Sequence, residues 1–248
     1  MFKARKIYEI AVSTPNAQDG VILAFTFDGL NVKNDCRELI HLKTKHVDFE
    51  NNVINVYGDM LDVTNPKTRQ VSISEHTKRL IEKALEQKGY ASVEGEKVGL
   101  VESDYVLRGI RNDAQVNWEE IHQRIARVAK TTGYEYLNAT TVSYSGQLHY
   151  TKQLLDSGVE LDNAVSMVLQ RFGIDDDNAA RFSLKQTIAM ELNGEEIPMA
   201  QIYFWTHEWH GKMEESKKDI EEGRYKRFDN VEELVRDLDS DEDDNENI

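Results

Sequence analysis

A mainly α fold with a small antiparallel β-sheet, of the α+β class, is what these 248 residues predict, and three observations carry the prediction. Capping signatures precede several stretches whose apolar residues recur at helical spacing. Two β-branched runs, "NVINVYG" (52–58) and "TRQVSIS" (68–74), are separated by one loop, the pattern of a hairpin. The segment "YSGQLHYTKQLLDSGVELDNAVSMVLQRFGI" (144–174) reads as two helices joined at Gly158. With 40% hydrophobic residues and three prolines, the chain has enough apolar material for a sizeable core.

The elements follow in order. Thr14-Pro15 has the form of a helix start, hydroxyl cap then proline, leading into "VILAFTF" (21–27) and ending at Gly29. Asp35 and Glu38 stand at capping-box spacing, predicting a second helix with Cys36, Leu39 and Ile40 on one face. After the hairpin, Ser74 opens a helix that Gly89 stops, and "EKVGLVE" and "YVLRG" look extended or irregular. Asn117 and Glu120 form another capping box, beyond which Trp118, Ile121, Ile125 and Val128 make an apolar stripe with Arg124 and Arg127 flanking it and facing outward. The two helices around Gly158 come next. Beyond Phe182 the character turns polar, which places a boundary near Lys185: a domain over 1–184, a helical extension over 185–238 and a disordered acidic tail over 239–248.

Charge is unevenly distributed. The net charge is −15, but Lys212 to Ile248 holds seven Lys and Arg against fifteen Asp and Glu, more than half of the excess. Ile121 to Lys152, by contrast, carries Arg124, Arg127, Lys130 and Lys152 against Glu135 alone, which leaves room for a basic surface. The single cysteine, Cys36, has no disulfide partner and fits a reducing cytoplasm; no signal peptide or apolar run of spanning length is present.

Several phrases in the right order resemble the catalytic domain of the tyrosine recombinases, the phage-integrase family. "FDGLNVKNDCRELIHLKTKHVDFENNVINVYG" is similar to that family's helix ending in Glu-Leu and running into a hairpin, "KTRQVSIS" to its second hairpin strand, and "LLDSGVELDNAVSMVLQRFGI" to the helix pair before its nucleophile. The resemblance spans roughly Asp19 to Ser183 and implies a tyrosine-recombinase-like domain for double-stranded DNA. It implies transfer of a DNA phosphodiester to a tyrosine, with two arginines clamping the phosphate and Lys and His managing protons.

The residues for that chemistry are missing where the resemblance puts them. Asp35 holds the place of the first arginine, and an anion there turns attraction into a repulsion of about 4 kcal/mol at 4 Å in an effective dielectric of 20. Arg37 cannot simply substitute, since two residues along a helix is a turn of about 200°. The hairpin lysine falls near Thr64, with Lys67 in the same loop. The His-x-x-Arg set becomes Tyr144 and Gln147, followed by Leu148 and His149; the later His or Trp is matched at best by Arg171, and the tyrosine by Phe182. The expectation is therefore an inactive, integrase-like DNA-binding protein of prophage or mobile-element origin, a transcriptional regulator such as a lysogeny repressor, with no catalytic residues, metal or cofactor. The family's separate N-terminal clamping domain is not expected within these residues.

The candidate DNA contacts are Lys67, Arg69, Arg108, Arg111, Arg124, Arg127, Lys130, His149 and Lys152. An ordinary solvated helix face is the competing reading. His207 and His210 lack a third ligand at a metal spacing, and Trp205 and Trp209 suit packing; Tyr203 as a displaced nucleophile needs the arginines rescued too. At the C-terminus, Asp229 and Glu232 form a capping box before Val231, Leu234, Val235 and Leu238, similar to the partner-binding segment of RelB-type antitoxins and suited to self-association. Net acidity keeps a second reading open: an antitoxin-like inhibitor, or an accessory factor of an active recombinase.

Overall fold

The computed structural model describes residues 2–57, 60, 68–91, 95–110, 115–190 and 215–224, together with positions 226, 228 and 233. The chain divides into compact units of residues 1–199 and 200–248. The first unit is mainly α with two small antiparallel sheets.

Its centre is α2 (Ala17–Asp28), every residue of which is buried. Its run 21–27 is apolar but for Thr26, and a helix with so little polar face must be enclosed. Helix α1 (Ala4–Ser13) covers one side through Ile7, Ile10 and Ala11, whose i, i+3, i+4 spacing sits in a cationic stretch without a side-chain cap. Gly20 lets α2 approach that neighbour, since a Cβ there would stand 2.2 Å from the Ala11 carbonyl oxygen. The same holds across the helix: a Cβ on Gly146 of α6 (Ala139–Asp156) would stand 2.0 Å from the Phe27 carbonyl oxygen. The cap of α2 is Asn16, which accepts from the Gln18 N–H, whereas Thr14 donates its hydroxyl to Ala11 and Asn16 carbonyls. The Thr14-Pro15 signal therefore marks the end of α1 as much as the start of α2.

The second helix is shorter than its pattern promised. A 3-10 turn (Asn34–Cys36) leads into α3 (Arg37–Ile40), and both Asp35 and Cys36 hold left-handed backbone, φ 57° and 56°. No capping box forms, because the Glu38 carboxylate is drawn to Arg69 and to the Asn31 N–H instead. Cys36, Leu39 and Ile40 are nonetheless buried, as their spacing required.

Strands β1 (Val47–Asp48), β2 (Val53–Val56) and β3 (Arg69–Ser72) form an antiparallel sheet in that order, with Ile54 opposite Val71 and Val56 opposite Arg69. Helix α4 (Glu75–Glu86) starts on the Ser74 cap and ends at Gln87, and β4 (Gly89–Ala91) pairs with β5 (Lys97–Gly99). Asn117 caps α5 (Trp118–Thr132), whose Ile121, Ile125 and Val128 enter the core; Trp118, expected in that stripe, remains exposed. Helix α6, the Gly158 turn at φ 88° and α7 (Leu161–Arg171) match the predicted pair. Helix α8 (Asn178–Ile188) runs unbroken through Lys185. Val165, Val168, Leu169 and Phe172 with Leu184 and Ile188 make a second apolar cluster on α7 and α8.

In the second unit, residues 215–221 are helical and Gly223 follows at φ 74°. Tyr203, Trp205, His207, Trp209, His210 and the stretch Val231, Leu234, Val235 and Leu238 lie outside the described residues.

Candidate nucleic-acid interface

Helix α5 separates its cations by depth. Arg127 and Lys130 are exposed, and neither makes a side-chain hydrogen bond or ion pair among the described residues. They line an open cleft of about 790 Å³ with Tyr90 of β4 and the α1–α2 junction, including Asp19. Arg124 points the other way and is 2% exposed, contrary to the outward orientation its pattern suggested. Its guanidinium donates to Glu120 Oε1, at 3.0 Å from Nε and 2.5 Å from Nη2, and to the Arg108 carbonyl at 3.1 Å; Asp19 Oδ1 stands 3.7 Å from Nη1. Arg124 borders the apolar stripe, next to Ile125. The carboxylate on α2 draws it inward. Burial pushes the Asp19 carboxyl up to about 6, with Arg124 and Arg127 opposing the shift.

Two other expected contacts are also internal. Arg108 donates to the carbonyls of Ala84 at 2.7 Å and Gln87 at 2.5 Å, closing the C-terminal end of α4. Arg69 makes a two-pronged pair with Glu38, both contacts 2.6 Å, and donates to the Arg171 and Gly29 carbonyls at 2.9 and 3.0 Å. For Arg69, Arg108 and Arg124 the correction has one cause. Each guanidinium is buried and turned toward acceptors of the fold, and although Arg108 Nε and Arg124 Nη1 lack a hydrogen-bond partner, burial keeps all three from an outside phosphate.

His149 is half-buried against the rings of Phe27 and Tyr150. Burial holds its pKa below the ordinary histidine value, so it is a neutral ring at pH 7 rather than a cation. Lys152 is exposed and reaches Asp156 at 3.3 Å. Lys67, Arg111 and Thr64 lie outside the described residues.

The positions aligned with catalytic groups gather only in part. Tyr144 and Gln147 line a cleft of about 470 Å³ with Lys33, Ser183, Asp175 and Asp177, and no arginine lines it among the described residues. Gln147 donates to Ser143 Oγ at 3.2 Å. Phe182 is 8% exposed and does not line the cleft, whereas its neighbours Ser183 and Leu184 do. Arg171 is committed elsewhere: it donates to the Asp28 carbonyl at 2.8 Å and the Ser72 carbonyl, and its guanidinium lies 3.6 Å from the centre of the Tyr150 ring.

Behind that contact is a polar knot that the sequence did not announce. Asp28 accepts from Tyr8 and Tyr150, both at 2.9 Å, and from Thr77 at 2.6 Å. Burial raises the Asp28 pKa against these three hydrogen bonds, and burial followed by the Asp28 charge raises those of Tyr8 and Tyr150. Only the convergence of α1, α2, α4 and α6 brings the four side chains together.

Left-handed backbone at Asp35 and Cys36 also removes the premise on which Arg37 was set aside. Residues 35 to 37 are not one helix, and Arg37 is the first residue of α3. Among the described residues no group of three or more His, Cys, Asp or Glu could hold a metal, and no helix is long and apolar enough to cross a membrane.

A family model described as "MrpR, C-terminal catalytic domain" matches residues 1–198. The crystal structure of XerA recombinase is similar at 17% identity and a TM-score of 0.48, over 91% of this chain and 64% of that one. An integrase from mycobacterium phage Brujita gives 10% and 0.46, over 83% and 62%. A lambda integrase dimer bound to a COC' core site gives 14% and 0.47, over 79% and 60%. This chain spans less than two thirds of each. No curated protein sequence matched.

Proposed function

The chain belongs to the family described as the MrpR C-terminal catalytic domain, and from that premise we propose that it is a catalytically inactive member that binds double-stranded DNA as a regulator of transcription. A lysogeny repressor of a prophage or mobile element is the specific form of this reading. One observation carries it: among the described residues, the cleft holding Tyr144 and Gln147 is lined by the cation Lys33 and the anions Asp175 and Asp177, with no pair of guanidiniums. Phosphoryl transfer needs positive charge where negative charge grows, and each missing group costs orders of magnitude. Phe182 offers no oxygen for a covalent step.

DNA is then held rather than cut. Arg127 and Lys130 have the chemistry for its phosphates, and Lys152 is a further exposed cation. Shift titrations of a labelled duplex at two salt concentrations test this reading. Salt-sensitive binding weakened by Arg127→Ala and Lys130→Ala is expected, and no binding at low salt sinks it. A suicide substrate tests inactivity: no covalent protein–DNA adduct is expected.

The net charge of −15 supports a second reading, a module for protein partners or self-association through residues beyond 185. Absence of DNA binding together with a change of oligomeric state on removing residues 212–248 would favour it.

A further inference from the structure

We propose that the turn over residues 33–37 is a phosphate contact in its own right, with Arg37 as its anchoring cation and Lys33 beside it; this rests on the DNA-binding reading above.

The turn is tight and strained. The Cys36 N–H donates to the Lys33 carbonyl at 3.2 Å, which brings the two ends together, and the Cys36 thiol lies 3.4 Å from the Val32 carbonyl oxygen. Neither Asp35 nor Cys36 is glycine, yet both hold φ near +57°. Such backbone costs on the order of 1–3 kcal/mol per residue and persists where surrounding structure holds it.

The strain delivers a guanidinium with nothing to bind. Arg69, Arg108, Arg124, Arg171 and Arg181 each donate to carbonyls or carboxylates within the fold. Arg37 makes no side-chain hydrogen bond or ion pair among the described residues, and its Nε is shut away from solvent without an acceptor. An outside ligand does not reach that buried Nε, a state shared by Arg108 Nε, Arg124 Nη1 and Arg181 Nη1; it is the terminal Nη1 and Nη2 of Arg37, neither buried nor bonded, that can take a phosphate in two prongs. Lys33 is exposed and equally uncommitted at its ammonium. Asp35 stands exposed between the two, and Asp175 and Asp177 share the cleft that Lys33 lines, so Arg37 rather than Lys33 is the main cation of the contact.

Position gives these cations a common partner with α5. Cys36 Sγ lies 3.9 Å from Nε2 of His122, an exposed residue of α5. At about 1.5 Å of rise per residue, Arg127 and Lys130 stand roughly 7.5 and 12 Å further along that helix. Around the helix Lys130 stands about 80° from His122 and Arg127 about 140°, so Lys130 is the α5 cation nearer the side on which the turn packs.

The test is titration of a random-sequence duplex across a range of salt, comparing the unaltered chain with Arg37→Ala, Lys33→Ala and, as a control cation on β5, Lys97→Ala. Melting of each variant checks folding. Arg37→Ala should weaken binding several-fold and lower the slope of log affinity against log salt by about 1; Lys33→Ala should act in the same direction but less, and Lys97→Ala should change nothing. A folded Arg37→Ala with the original affinity and slope, alongside a weakened Lys130→Ala, overturns the contact and leaves the DNA-binding reading intact. An equal loss in Lys97→Ala overturns it too, as a general charge effect. If Arg37→Ala does not fold, an unchanged Lys33→Ala overturns it. No binding by the unaltered chain removes both readings together.

Discussion

Arg124 and Arg127 stand one turn apart on the same helix and have opposite surroundings. Arg124, like Arg69 and Arg108 elsewhere in the fold, is a buried guanidinium bonded to carboxylates or carbonyls. On the outer strip, Arg127 and Lys130 make no side-chain hydrogen bond or ion pair among the described residues, although the Asp19 carboxyl lies close enough to feel the charge of Arg127. Composition counts both sets as basic. Only the outer one has charge to offer a partner, because the inner one is buried and turned toward acceptors of the fold.

Breaking the buried set should be felt as stability, and the largest effect is expected at Arg69. Its side chain and that of Glu38 are 6% and 10% exposed, so Arg69→Ala leaves a buried carboxylate unpaired and should cost about 3–5 kcal/mol in a denaturant titration. Arg124→Ala should cost less, roughly 1.5–3 kcal/mol, since Glu120 is partly solvated. The folded fraction of either variant should bind DNA with little change, and a loss matching that of Arg127→Ala would erase the distinction between the two sets.

The outer strip should show the reverse. Arg127→Ala is expected to move stability by no more than about 0.5 kcal/mol while weakening DNA binding and its salt dependence.

The smallest and most specific effect is in pH. The Asp19 carboxyl titrates near 6 in the fold against an ordinary 3.8, so between those values the folded chain keeps a proton that the unfolded chain has lost. Stability should therefore fall as pH rises from about 4 to 6 and flatten above. Asp19→Asn should reduce that slope in urea midpoints measured across the window. Some slope should remain, because burial raises Asp28 in the same direction.

Local signals were readable wherever neighbouring residues settle the outcome. Asn117 and Ser74 cap their helices, Gly29 and Gly158 take positive φ, and the β-branched runs pair as β2 and β3. The capping box at Asp35 and Glu38 failed because a distant group won: Glu38 gains more from two charge-assisted bonds to Arg69 than from capping one turn. Of the expected contacts, Arg69, Arg108 and Arg124 went inward for the same kind of reason, while Arg37 was set aside on a helical geometry that its left-handed neighbours do not adopt.

Although α1, β1 and the β4–β5 pair were not legible in it, the sequence by itself determined the apolar run of α2, the helix caps at Ser74 and Asn117, the β2–β3 hairpin and the α6–α7 pair around Gly158. These depend on residue identity and short-range periodicity. Tertiary structure alone decided which cations are spent and which remain free, because that depends on which carboxylate or carbonyl a neighbouring element brings within about 3 Å. Asp19 beneath Arg124 and Glu38 against Arg69 are contacts between segments far apart in the chain, and no local pattern encodes them.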